Sequence, residues 1–320
     1  MAAVFVKKGG KNNRFTKGLM KNIFIRDIVK NKYIYIMLVP VGAYYVIFHY
    51  MPMYGAQIAF RNYAPLKGIW GSQWVGLQYF KEFFSSYYFT RLLRNTLLIN
   101  FYDILFGFPA PVIMAILINE LRGTTFRRMV QTITYLPHFI SLVVVCGLLT
   151  DFLAHGGVIN NIAALFGGST SSILLEPKAF RAVYVGSEIW QSMGWNSIIY
   201  LSALMGIPSE LYEAARMDGA GRLREIWSIT LPGILPTVVI MLIMRVGKIM
   251  TVGAEKIILL YNPSTYETAD VISSFVYRKG ILEAGYSYST AVGLFNSIIS
   301  FVLVYTVNRI SNKLTDSGLW

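Results

Sequence analysis

Six stretches of this chain hold enough apolar residues to cross a lipid bilayer. They cover about 33–52 (YIYIMLVPVGAYYVIFHYMP), 93–119, 129–153, 181–206, 229–252 and 288–309. Each meets the length of about 20 residues that a helix needs to span the hydrocarbon core. Pro40 predicts a kink in the first span, and Pro137 beside His138 predicts one in the third. The pattern is that of an all-α membrane protein with six transmembrane helices.

The polar segments between the spans orient them. Lys7, Lys8, Lys11, Arg14, Lys17, Lys21, Arg26, Lys30 and Lys32 all precede or open the first span. Arg122, Arg127 and Arg128 lie in connection 120–128, and Arg216, Arg222 and Arg224 in connection 207–228. Arg309 and Lys313 close the chain. The other connections, 53–92, 154–180 and 253–287, are longer but sparser in Lys and Arg; 154–180 holds Lys178 alone. The bias of positive charge toward the inside predicts that both termini are cytoplasmic. It divides the chain into a basic tail (1–32), a transmembrane region (33–312) and a short C-terminal tail (313–320). Aromatics in the outer segment 52–84 suit the membrane–water interface, and YETADVISSFVYRKGI (266–281) predicts a short helix before the last span.

Composition supports the membrane reading. The chain is 55% hydrophobic and 14% charged, where soluble domains run near 25% charged. A net charge of +13 raises nucleic acid as a partner. Its concentration in the tail favours membrane lipid instead, and no nucleic acid is expected. The polar N-terminal stretch is too long for an ordinary cleaved signal peptide, so the first span is expected to stay. The single cysteine, Cys146, excludes an intrachain disulfide and a multi-cysteine metal site. His49, His138 and His155 are scattered without metal or triad spacing, so no metal site is expected.

One polar segment stands out, PSELYEAARMDGAGRLREIW (208–227). Pro208 and Ser209 open a helix. Glu213, Ala214, Ala215, Arg216 and Met217 continue it, and Gly219 and Gly221 break it. LREIWSITLP restarts a helix into the fifth span. This is a helix–turn–helix on the cytoplasmic face, either an ordinary hairpin or a docking surface for a soluble partner.

Glu213-Ala214-Ala215, then Asp218-Gly219-Ala220, then Ile229-Thr230-Leu231-Pro232 resembles the EAA motif of ABC importer permeases, in its sugar-importer form. The six-span order and PMYGAQIAFRNYAPLKGIWGSQWVGLQYF resemble the lipoprotein/polysaccharide-type branch of carbohydrate permeases, related to the maltose permease subunits. The resemblance covers about 33–312. It implies the type I permease fold in a bacterial plasma membrane. It implies a role as permease subunit of an ATP-driven importer for oligosaccharides or polysaccharide fragments. It also implies a second homologous permease (a heterodimer), two ATP-binding subunits and an extracellular solute-binding protein. Glu213, Ala214, Ala215, Asp218, Gly219, Ile229, Leu231 and Pro232 would then couple transport to the ATPase. The chain has no P-loop and no expected cofactor or catalytic residue of its own; ATP and Mg would be handled by the partner.

Charges within spans are costly and point to function. In the fourth span Glu188, Gln191, Ser192 and Trp195 share one helix face. The fifth carries Arg245 and Lys248. An aromatic plate with hydrogen-bonding neighbours suits a sugar. Aligned on the EAA loop, the sugar-contacting region of the maltose permease subunit falls near 188–195 and 245–252. The charges at Glu188 and Arg245 depart from that subunit and argue against maltose. Arg245 and Lys248 in one cavity favour an acidic oligosaccharide. The bland alternative pairs Glu188 with Arg245 as a strut. Asn100, Tyr102 and Asp103 in the second span read as helix–helix glue. A secondary transporter or channel using these intramembrane charges is the competing function. It should show inverted repeats, and none is seen. A membrane enzyme would need converging catalytic groups, and none stands out.

Overall fold

The computed structural model describes residues 27, 30–165, 172–251 and 253–315. Most of the basic tail 1–32, and 316–320 of the C-terminal tail, lie outside these residues. The chain divides into two units, Met1–Gln57 and Ile58–Trp320.

In the first unit, helix α1 (Lys32–Tyr45) runs through Pro40 and on, by a widened turn at Val46–Tyr50, to Met53. None of its side chains is buried. Apolar residues all round a helix are what lipid accepts and water does not.

The second unit begins with the aromatic segment. Arg61–Asn62 pairs antiparallel with Gln73–Trp74. The Arg61 guanidinium lies 5.3 Å from the Trp70 ring and 5.4 Å from the Trp74 ring. After a short helix, Gln78–Ser85, come α2 (Tyr87–Tyr102), a widened turn at Asp103–Gly107, and α3 (Pro109–Glu120). The third apolar run is broken. Helix α4 (Thr124–Tyr135) ends in a tight turn at Leu136–Phe139, and α5 (Leu142–Leu153) restarts with Ser141 as N-cap. Pro137 explains the break, since it lacks the amide hydrogen that a continuing helix requires.

Helix α6 (Phe180–Met205) is unbroken over 26 residues, about 39 Å at 1.5 Å per residue. It leads into α7 (Ser209–Met217), then through the widened turn Ile226–Thr230 into α8 (Leu231–Gly247). Helices α9 (Ala254–Leu260) and α10 (Ile272–Tyr277) precede the last, α11 (Tyr286–Thr315). The helix expected over 266–281 is interrupted at Asp270, between Tyr266–Ala269 and α10. Ile257, Ala269, Val271 and Ile272 are fully buried, so this connection is folded into the body of the unit.

Among the described residues, five helical stretches are long and apolar enough to cross a membrane: Lys32–Phe60, Tyr87–Glu120, Leu142–Ile162, Arg222–Gly247 and Tyr286–Lys313. Helix α6 has the length but carries Arg181, Glu188, Gln191, Ser192 and Asn196. Lipid gives apolar side chains no reason to meet each other, so close packing must hold the helices together. Gly194 shows how. A Cβ there would collide with the backbone carbonyl of Thr134, so α6 and α4 touch backbone to backbone.

Three of the widened turns end two residues before a proline: Val46–Tyr50 before Pro52, Asp103–Gly107 before Pro109, and Ile226–Thr230 before Pro232. The proline has no amide hydrogen for the carbonyl four residues back, and its ring crowds that carbonyl. Widening lets the preceding residue bond five back instead, as Phe108 N–H does to the Asp103 carbonyl at 2.9 Å.

Candidate functional site

Of the residues expected to couple to an ATPase, Glu213, Ala214 and Ala215 lie in α7 and Asp218 and Gly219 in its cap, while Ile229, Leu231 and Pro232 lie at the start of the fifth run. Helix α7 ends with the Gly219 amide donating to the Arg216 carbonyl (3.0 Å) and the Ala220 amide to the Ala215 carbonyl (2.9 Å). Those two bonds define a Schellman cap, which needs a left-handed residue between them. Gly219 supplies it with φ +77°. Asp218-Gly219-Ala220 is therefore the stop signal of α7.

Beyond the stop, Arg216 reaches across to Glu225, at 2.9 and 3.3 Å, and the Tyr212 and Thr230 hydroxyls lie 3.1 Å apart. These contacts fold α7 back on the start of the fifth apolar run. Glu213, Ala214, Asp218 and Gly219 stay exposed, as do Leu211, Met217, Leu223 and Trp227. Ile229 and Pro232 line a cleft of about 570 Å³ beside Pro208 and Leu211. Ile229 and Leu231 are half-buried. The Arg216–Glu225 tie was not foreseen; the only signal was two opposite charges nine residues apart across a glycine turn.

The charged residues within spans meet around a cavity of about 650 Å³. Glu188, Gln191 and Ser192 come from α6, Arg245 and Lys248 from the end of α8, and Lys256 from α9. Asp103 comes from the widened turn after α2, and His138 from the break in the third run. A second cavity, of about 170 Å³, adjoins it on Asp103, Glu188, Ser192, Arg245 and Lys248. It continues past Asn196, Tyr200 and Met241. Those residues lie nearer α7 along both α6 and α8, so the small cavity is on the coupling-loop side of the large one.

The expected strut between Glu188 and Arg245 is not formed. Arg245 grips Asp103 instead, through Nε at 2.7 Å and Nη2 at 2.5 Å. Glu188 accepts from Lys256 at 3.0 Å. The two cations are neutralised by different carboxylates because α8 faces the widened turn, while Lys256 enters from the connection after it. Gly107 makes the first pair fit: a Cβ there would lie 2.6 Å from Asp103 Oδ1. Breaking a buried pair by removing one partner costs about 3–5 kcal/mol. Here the cost is lower, because the Arg245 side chain is 34% exposed.

The other predicted contacts divide. Gln191 lines the cavity and donates to the Ile140 carbonyl at 3.2 Å, tying α6 to the break. Ser192 lines it with its hydroxyl bonded to the Glu188 carbonyl. Trp195 is not in the lining. Its ring stacks on His138, centroids 4.8 Å apart and 4° from parallel, with Phe139 edge-on. It backs the wall that His138 presents. Asp103 does join helices, as read from sequence, but across 142 residues of chain and at the cavity edge.

Farther from the loop, Asp270 is fully buried and accepts from Arg278 (2.6 and 3.2 Å), Arg91 (3.3 Å) and Ser274 (2.8 Å). Asn95 donates to the Asp270 carbonyl at 3.0 Å and accepts from Arg181 at 2.9 Å. Burial works to lower the Arg278 pKa, but the hydrogen bonds and charge of Asp270 outweigh it and raise it.

Residues 107–316 match the family model described as binding-protein-dependent transport system inner membrane component. Protein LplB of Bacillus subtilis (strain 168) is 43% identical over 292 residues, covering 91% of this chain and 92% of that one. The polygalacturonan/rhamnogalacturonan transport system permease protein YteP of the same organism is 41% identical over 307 residues, covering 96% and 95%. A chain in the crystal structure of a bacterial ABC transporter involved in the import of the acidic polysaccharide alginate is 44% identical. It superposes with a TM-score of 0.85, covering 91% of this chain and 99% of that one. A chain of the bacterial alginate ABC transporter in complex with an alginate pentasaccharide-bound periplasmic protein is 43% identical, with a TM-score of 0.85, covering 92% of this chain and 99% of that one.

Proposed function

The chain belongs to the family of inner-membrane components of binding-protein-dependent transport systems, and from that premise we propose that the cargo it passes is an acidic oligosaccharide. It is a multi-pass permease subunit of an ATP-driven importer for oligosaccharides or polysaccharide fragments, and not itself an enzyme. The observation that carries the acidic reading is Arg245, whose side chain is 34% exposed in the wall of the cavity of about 650 Å³, with Lys248 beside it. A sugar carboxylate is the two-pronged partner of such a guanidinium. Relatives named for polygalacturonan and alginate transport support it.

In this reading the chain crosses the membrane six times, with α6 as the fourth crossing and both termini cytoplasmic. A second, homologous permease completes the pathway, and a solute-binding protein delivers cargo from outside. One of two ATP-binding subunits receives the exposed face of α7, with Glu213 and the apolar Leu211 and Met217 as contacts, and the other receives the companion permease. ATP-driven closure of those subunits would move α7, and the fifth run would follow through the Arg216–Glu225 tie.

The test is co-purification of this chain with its companion permease and ATPase, followed by cargo-stimulated ATP hydrolysis in lipid. Gly219→Pro cannot adopt φ +77° and removes the amide that caps α7. We expect membrane insertion to survive while stimulated hydrolysis falls at least tenfold; Glu213→Ala should lose less. Normal hydrolysis in Gly219→Pro would reduce the loop to a hairpin. Transport without any ATPase would favour a secondary transporter.

A further inference from the structure

We propose that the Asp103–Arg245 pair is a latch between the two cavities, opened when a carboxylate of the cargo takes the place of Asp103 on Arg245. This rests on the acidic-cargo reading. Both residues line both cavities, and the two-pronged bond between them joins the turn after α2 to the end of α8 at that shared boundary. A sugar moving from the large cavity toward the coupling-loop side must pass this bond.

The charges around it explain why exchange is the opening step. The large cavity is lined by Arg245, Lys248 and Lys256 but also by Asp103, Glu188 and Glu255. Its formal charges cancel, so an acidic sugar is not drawn in by a net positive field. It must compete for a cation that already has a partner. At Arg245 that competition is chemically even. A uronate carboxylate offers the same two oxygens as Asp103, so the guanidinium exchanges one forked bond for another and is never left bare. Lys248 lies three residues after Arg245, within one helical turn of it, and lines the same two cavities as Asp103. A neutral sugar offers no such exchange and would leave the latch shut.

The mounting suits a moving part. Asp103 sits on a widened turn, where helical bonding is already altered, and its carboxylate occupies space that only Gly107 leaves open. The Arg245 side chain is reachable from the cavity, whereas Lys256, whose side chain is only 3% exposed, is not. Arg245 is therefore a cation that cargo can reach, with the exposed Lys248 beside it.

The experiment uses the full complex in proteoliposomes, with the binding protein outside. Two quantities are read: ATP hydrolysis without cargo, and uptake of a defined oligogalacturonate. Asp103→Asn weakens the latch and keeps Arg245 available; idle hydrolysis should rise at least fivefold while uptake persists. The double variant Asp103→Arg with Arg245→Asp rebuilds the pair in reverse. It should return idle hydrolysis to the wild-type level but leave uptake at least tenfold down, because an aspartate now stands where the cargo must bind. Should the reversed pair fail to assemble, Arg245→Lys, which keeps the charge and loses the fork, should also raise idle hydrolysis. The proposal is overturned if Asp103→Asn idles at the wild-type rate, or if the reversed pair restores uptake as well, since either makes the pair a strut. Idle hydrolysis needs no cargo. A wild-type complex that ignores both the oligogalacturonate and an oligoalginate would therefore overturn the acidic cargo, and with it exchange as the opening step, while the idle rates still decide whether the pair closes the path.

Discussion

Two aspartates in this molecule meet arginine in opposite ways. Asp270 is fully buried and holds Arg278, Arg91 and Ser274, while Asn95 fixes the carbonyl of the same residue. Among the described residues Asp103 holds Arg245 alone, at the border of two cavities. The first site is over-determined: when one bond lets go the others still hold the buried carboxylate, so no single loss frees it. The second has one forked pair to exchange and a cavity from which a substitute can come. Number of partners and access, more than bond length, separate a clamp from a contact that can switch.

That contrast breaks if the aspartates respond alike to mutation. The largest loss is expected from Asp270→Ala, which strands two arginines; about 3–5 kcal/mol is the cost of leaving a buried charge unpaired. The complex should fail to accumulate, or melt far below wild type when heated in detergent. Asp103→Asn should cost less, about 1.5–3 kcal/mol for hydrogen bonds to a charged group and toward the lower end where Arg245 is exposed. A melting shift as large as that of Asp270→Ala would make both sites clamps. Arg216→Ala, at the α7 loop, should lower melting less than Asp103→Asn, because its side chain is 65% exposed although its partner Glu225 is only 8% exposed, and should lower cargo-stimulated hydrolysis. The smallest effect belongs to Lys279→Ala. Its bond to Glu283 joins side chains 32% and 48% exposed, four residues apart, worth about 0.3–0.5 kcal/mol. It serves as the control for surface charge.

Much of the architecture is legible in local sequence. The apolar runs become helices, Pro137 marks the break in the third, and Asp218-Gly219-Ala220 spells the end of α7. These signals are carried by neighbours along the chain. Partner choice is not. Glu188 and Arg245 were each readable as charges within a span, but nothing local says that Arg245 turns to Asp103 while Glu188 turns to Lys256. The second pairing was hidden further because 253–287 reads as an outside loop; its polar residues earn that reading one at a time, yet Lys256 and Asp270 are buried by partners from other helices. Trp195 failed for a related reason. Helical spacing put it on the face of Glu188, but seven residues on it meets the broken third run and stacks on His138.

The widened turns carry a consequence for insertions and deletions. Each takes one more residue than a regular helix would to complete the circuit. Removing one residue from 103–107 would let a regular helix complete the same circuit, so α3 would keep its phase relative to α2; straightening the turn with every residue kept would instead rotate all of α3 by about 100°. In that rotated form the chain would keep its length, its hydrophobicity and every charged residue, yet α3 would present its lipid-facing side chains to its neighbours. The turn is thus a phase setting that absorbs one extra residue locally, and related chains can be expected to differ here by the presence or absence of that residue without disturbing α3.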